Sequence, residues 1–192
     1  MSRLTPLSPD SLPELQETFQ HFRGLLGYVP NNALVLARRP KMVKGLAGFA
    51  SAVWDPSNEV DRGLKRLVAY MASKTYGSKY SMAHSAEAAH RSGVSAAKVE
   101  AVDHFRTSPL FTEAERAALD FTIAAASQPN GVTDAVFERM KKHWTESQIV
   151  EIAAVVGING FLNRWSEIFR LELEDEPAAF AKKHLPQHFR QA

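Results

Sequence analysis

Ser78, Ser81 and His84 stand at three-residue steps in "YGSKYSMAHSAEAAHRSG", the stretch from Tyr76 to Gly93. On a helix each step turns by about 300°, so Ser81 and His84 become near neighbours while Ser78 lies at the N-terminal end. That end carries unpaired N–H groups and the positive pole of the helix dipole, where an anion or a nucleophile of lowered pKa is stabilised. A hydroxyl becomes a nucleophile only if a base takes its proton and a third group orients that base. His84 is the candidate base for Ser81. No orienting carboxylate is evident: Glu59 and Asp61 belong to the start of the preceding helix, and Glu87, three residues beyond His84, reads as solvent-facing. The plainer reading, favoured on residue types alone, makes Ser78 an N-cap, Ser81 a first-turn residue and His84 a partly buried side chain with a hydrogen-bond partner.

Other side chains bear on this row. Lys65 and Arg66 could bring positive charge to a pocket and hold an acid group, against the alternative of a solvated helix face. Tyr76 and Tyr80 could each supply a hydroxyl, or bury the ring and leave the tip hydrated. Farther along, Glu151, Asn159 and Asn163 share one face of an apolar segment, with Arg164 and Trp165 beside them. Buried polar groups must find partners, and a structural network is the first reading there. His184 and His188 have ligand spacing but are interrupted by Pro186, so no metal site is expected.

A chain of 192 residues, 45% apolar and 23% charged, suits one ordinary globular domain. With 23 basic and 21 acidic side chains the formal charge is +2, which gives no reason to expect nucleic acid or a membrane surface as partner. No apolar run approaches about 20 residues, and "MSRLTPLSPDSLPELQ" lacks the apolar centre of a signal peptide, so a cytoplasmic location is expected. The absence of cysteine excludes disulfides, thiolate metal sites and cysteine nucleophiles.

The elements that must position the row read as helices. "SLPE" (Ser11, Pro13, Glu14), "TEAE" (Thr112, Glu115) and "TESQ" (Thr145, Gln148) are capping-box starts. "GYVPNN", "WDPSN", "SGVS", "SPLFT" and "QPNGVT" read as connections. "IVEIAAVVGING" lies within a longer apolar pattern from Ile149 to Phe169 and reads as one buried helix, and nothing alternates with a period of two. The expected fold class is all-α, with roughly eight to ten helices over residues 1–176 and a tail or short helix over 177–192.

The segment "YGSKYSMAHSAEAAHRSGVS" resembles the Cys-x-x-Cys-x-x-His motif of the AhpD-like, carboxymuconolactone decarboxylase superfamily, with both cysteine positions occupied by serine. "GYVPNNALVLARRPKMVKGL" resembles that family's N-terminal helices. The block from "FTEAERAALDF" to "NRWSEIF" resembles the C-terminal half of its peroxidase-related branch, so the likeness covers most of the chain. In active members, the resemblance implies, two cysteines cycle between dithiol and disulfide while a hydroperoxide is reduced, a peroxiredoxin-type activity, and the His and an upstream Glu relay protons. Carried over, Ser78 takes the resolving position, Ser81 the peroxide-reacting position and His84 the relay. The relay Glu position, twelve residues before Ser78, is Arg66. This further departure favours natural divergence over engineered removal of the thiols.

A hydroxyl supplies no thiolate-like nucleophile, whereas a thiol of pKa about 8.5 does when its surroundings help. Thiol peroxidase activity is therefore not expected. What remains is a small-molecule pocket around His84, flanked by Tyr80, Arg66 and Lys65, in a protein without cofactor. The alternative is a cofactor-free, carboxymuconolactone decarboxylase-like enzyme. There His84 is general acid or base on a carboxylated substrate, and Lys65 or Arg66 holds the acid group. The resemblance also implies a homo-oligomer.

Overall fold

The computed structural model describes residues 1–189, and its order is helical throughout. Two 3-10 turns, Pro9–Ser11 and Pro13–Leu15, lead into α1 (Gln16–Leu26), α2 (Asn31–Leu36) and α3 (Pro40–Val53). Then come α4 (Arg62–Tyr76), α5 (Lys79–Arg91) and α6 (Ala96–Glu100), with a 3-10 turn at Ala101–His104. The second half holds α7 (Glu113–Ala126), α8 (Asp134–Lys141), α9 (Glu146–Phe169), α10 (Asp175–His184) and α11 (Pro186–Phe189). Eight of these α-helices have eight residues or more and three are shorter. No helix among the described residues is long and apolar enough to cross a membrane.

Two of the three expected capping boxes form. Thr112 with Glu115 opens α7, and Thr145 with Gln148 opens α9, the long helix that the apolar pattern requires. The Ser11–Glu14 box does not form. Pro9 and Pro13 lock successive short turns, the Ser11 hydroxyl donates to the Ser8 carbonyl, and the regular helix waits until Gln16.

The core is organised around α4, every residue of which from Gly63 to Ser73 is buried. Leu67, Val68, Tyr70 and Met71 pack with residues of α5, α7 and α9 in one cluster, while Phe19, Phe22, Leu34 and Val43 form a second beneath α1 to α3. Lys65 and Arg66 are buried with the rest, 2% and 7% exposed, which corrects the solvated-face reading: α4 has no solvent face at that depth.

The corner between α4 and α5 sets the site. Gly77 adopts φ +90°, a left-handed conformation that costs a glycine little, and its N–H closes α4 onto the carbonyls of Ser73 and Lys74. Ser78 follows at once as the N-cap of α5, its hydroxyl accepting the Ser81 N–H at 3.4 Å. A one-residue turn plus a cap fixes both the start and the rotation of α5. Beyond α9 the chain turns back, and α10 lies against α5 and α6. Ala181 and Leu185 are fully buried, and His184 and His188 pair with Glu100 and Asp103, each at 2.7 Å.

Candidate functional site

His84 projects from α5 into a polar cluster built by three distant segments. Its Nε2 lies 2.6 Å from Glu174 Oε2, and its Nδ1 lies 2.9 Å from the Tyr28 hydroxyl. Glu174 stands just before α10, and its other oxygen accepts the Tyr80 O–H at 2.8 Å and the Asn31 N–H at 2.5 Å. The Tyr80 ring sits against the imidazole, centroids 4.4 Å apart. With Glu174 accepting from Nε2–H, the neutral imidazole presents a bare Nδ1 that accepts the Tyr28 proton. When His84 is protonated the Tyr28 oxygen becomes the acceptor.

The electrostatics follow from this packing. Burial works against the Glu174 charge, but the hydrogen bond and charge of His84, with the Asn31 N–H, outweigh it and hold the carboxyl below its ordinary 4.5. Burial, reinforced by Glu174, pushes both Tyr28 and Tyr80 well above the usual phenol range, so both remain neutral donors.

Beside this cluster is a cavity of about 90 Å³. Phe22, Leu25, Leu46 and Trp54 are among its apolar lining, and Arg66, Tyr80, Ser81, His84 and Asn159 are among its polar lining. The row from the sequence is thus divided. Ser81 and His84 border the cavity together, whereas Ser78 is fully buried behind them as a cap, its hydroxyl 3.4 Å from that of Ser81. Ser81 makes no hydrogen bond to His84, whose ring nitrogens are both engaged elsewhere. A Ser–His nucleophile pair is therefore not assembled.

Arg66 borders the cavity with its guanidinium 3.7 Å above the Trp54 ring. Burial first, then the charges of Arg62 and Arg91, push it down to about 9, still charged at neutral pH, with Glu87 opposing. Lys65 does not join it. One residue along α4 points about 100° away, and Lys65 Nζ donates to the Val53 carbonyl at 2.8 Å, 3.8 Å from Glu151. Its assignment to ligand binding is corrected to a structural tie. Lys65→Ala is expected to lose about 2 kcal/mol of stability in urea unfolding, by leaving the Val53 carbonyl without its donor and Glu151 without its facing charge, with ligand affinity unchanged. A parallel loss of affinity would return Lys65 to the site.

Two carboxylates escaped the sequence reading. Glu87 is buried rather than solvent-facing, on a helix packed against α4, α9 and α10. Glu174, the orienting carboxylate of His84, lies ninety residues away with no local signal. Tyr28 lay in "GYVPNN", legible only as a connection. The expected polar ladder on α9 also separates: Glu151 accepts the N–H groups of Glu59 and Val60, Asn159 borders the cavity, and Asn163 borders another space with Tyr76 and Arg164. A helix of 24 residues crosses several neighbours, so one face meets different partners along its length.

The structure is an all-α bundle with His84 bordering a cavity, and comparison with known proteins gives it a family. Residues 40–124 match the carboxymuconolactone decarboxylase family. Solved structures of the debrominase Bmp8 are 31% identical to this chain, cover 93% of it and 95–96% of their own length, and superpose with TM-scores of 0.87 for the apo form and 0.88 for a cysteine-to-alanine variant bound to 2,3,4-tribromopyrrole. A peroxidase-related protein from Ralstonia eutropha with an alkylhydroperoxidase AhpD core shares the fold at 21% identity, TM-score 0.81, over 94% of this chain and 95% of that one. YnjA of Escherichia coli is 35% identical over 82 residues, a match spanning 43% of this chain and 44% of YnjA. The chain belongs to the carboxymuconolactone decarboxylase family and shares its fold with the AhpD core, with serine at both positions where the resemblance places the motif cysteines.

Proposed function

We propose that the protein binds a small ring compound in the cavity beside His84 and performs no thiol chemistry on it. The observation that carries this reading is the cavity itself, apolar on one side and bordered by Ser81, His84, Tyr80 and Arg66 on the other. An engineered cavity of roughly 150 Å³ holds benzene, so about 90 Å³ suits a single small ring, with some side-chain movement for substituents. The similarity to Bmp8, whose variant holds a brominated pyrrole, supports a five-membered aromatic ring as the ligand class. The chemistry differs because no residue here can supply a thiolate. Self-association, implied by the family, is supported by Val150, Phe161 and Ile168, which α9 leaves exposed.

A second reading, acid–base chemistry at His84, is favoured by the Glu174 carboxylate, which orients the imidazole through Nε2. The ligand would have to displace Tyr28 from Nδ1 to reach that nitrogen.

The two parts of the primary reading are tested separately. Calorimetric titration with 2,3,4-tribromopyrrole is expected to show binding, while the same protein with a dithiol reductant consumes no hydroperoxide and releases no bromide. Absence of binding overturns the cavity reading. Peroxide consumption or bromide release by the unmodified chain overturns the claim that its chemistry is thiol-free.

A further inference from the structure

On the other side of Arg66 from the His84 cavity is a cleft of about 180 Å³, lined by Arg62, Arg66 and Arg91 with Gly24, Leu25 and Ser92. Leu25 and Arg66 line both spaces, so cavity and cleft adjoin across these two side chains. The cleft's charge is one-sided. Arg66 is 7% exposed, forms no ion pair among the described residues, and has a buried Nε without a hydrogen-bond partner. Arg91 donates to the Leu26 carbonyl and lies 3.5 Å from Glu87 Oε1, while the other Glu87 oxygen is buried and unpartnered. The charged groups acting on Arg66 are thus two further guanidiniums and one carboxylate, with the neutral Tyr28 hydroxyl near.

A guanidinium shielded from water and lacking an acceptor is unfavourable, and an anion that takes two of its N–H groups is the arrangement that relieves it. Arg62 and Arg91 raise the local concentration of such an anion at the mouth of the cleft. The neighbouring cavity, apolar on one side, suits a small ring. One molecule can satisfy both spaces if it carries its charge at one end and a ring at the other.

We propose that the Arg62–Arg66–Arg91 cleft binds the carboxylate of a small aromatic acid whose ring lies in the His84 cavity. The proposal rests on the cavity reading above and narrows it to anionic ligands. Arg66 is the hinge between the two halves of the site. Arg62 and Arg91 steer the acid in, and Glu87 opposes it.

The probes are pyrrole-2-carboxylate and pyrrole-2-carboxamide, which share ring and size and differ in charge, titrated into the intact chain at neutral pH. The carboxylate is expected to bind about tenfold or more tightly than the carboxamide, as a charge-assisted contact in a shielded site provides. Arg66→Met is expected to erase that preference, read as the ratio of the two affinities in the variant. Glu87→Gln, which removes the opposing charge without touching Arg66, is expected to tighten the carboxylate only. Equal binding of the two probes by the unmodified chain, or a preference that survives Arg66→Met, overturns the anion site and leaves the cavity reading standing. If neither probe binds, both readings fall. If acetate binds as tightly as pyrrole-2-carboxylate, the cleft is an anion site detached from the cavity and the two-part ligand is wrong.

Discussion

Glu174→Ala is expected to lower the free energy of unfolding by about 3 kcal/mol, seen as a fall of roughly 6–12 °C in Tm for a chain of this size. The carboxylate accepts from His84, Tyr80 and the Asn31 N–H, and all three donors lose their partner together in a cluster largely shielded from water. An exposed pair would be worth under about 1 kcal/mol, but this group is only 14% exposed. The pH dependence separates charge from packing. Because the folded-state value of Glu174 is below its ordinary 4.5, its stabilisation is fully present above about that pH and drains away as pH falls through the lower folded value. The gap between wild type and variant should therefore be wide at pH 7 and close in acid, in urea titrations at matched m-value. A gap that stays constant down to pH 3 would mean that Glu174 acts through packing alone.

The opposite sign is expected one helix away. Arg66→Met should stabilise the protein by about 1–3 kcal/mol. The guanidinium is buried without a carboxylate partner, and its principal compensation is the Trp54 ring at 3.7 Å. A shielded cation–π contact is worth about 2 kcal/mol, whereas withdrawing an ion from water costs several. Methionine keeps the stem's packing and removes the ion. Arg66 would then be a residue retained at the expense of stability, as binding sites commonly require. Thermal unfolding of the variant without ligand decides it: a lower Tm would show that Arg66 is satisfied where it stands and would remove the reason to expect an anion beside it.

The local half of this architecture was legible and the long-range half was not. Thr112 and Thr145 announced their helices because a cap is a contract among residues three apart, and Ser78 read as a cap for the same reason. The row of Ser81 and His84 was visible because α5 alone sets their spacing. Lys65 and Arg66 looked alike in sequence, yet 100° of helix rotation sent one to Glu151 and the other to the cavity. Nothing in the residues around Glu174 marks it as the partner of His84. Its role follows from the turn after α9 that lays α10 on α5, a tertiary event with no periodic signature. The expected division at residue 176 falls inside α10, because the docking of that helix on α5 is likewise absent from local composition.

The ninety positions between His84 and Glu174 have a temporal meaning. Ribosomes add about 5–20 residues per second, so roughly 5–20 s pass between the appearance of the imidazole and that of its carboxylate. In that interval α4, α5 and α7 can already assemble around their shared core, while His84 faces an unfinished wall and the surface of α5 that α10 will cover stays wet. The imidazole is thus in place before the carboxylate that orients it, and the His84–Glu174 pair arrives with the C-terminal arm.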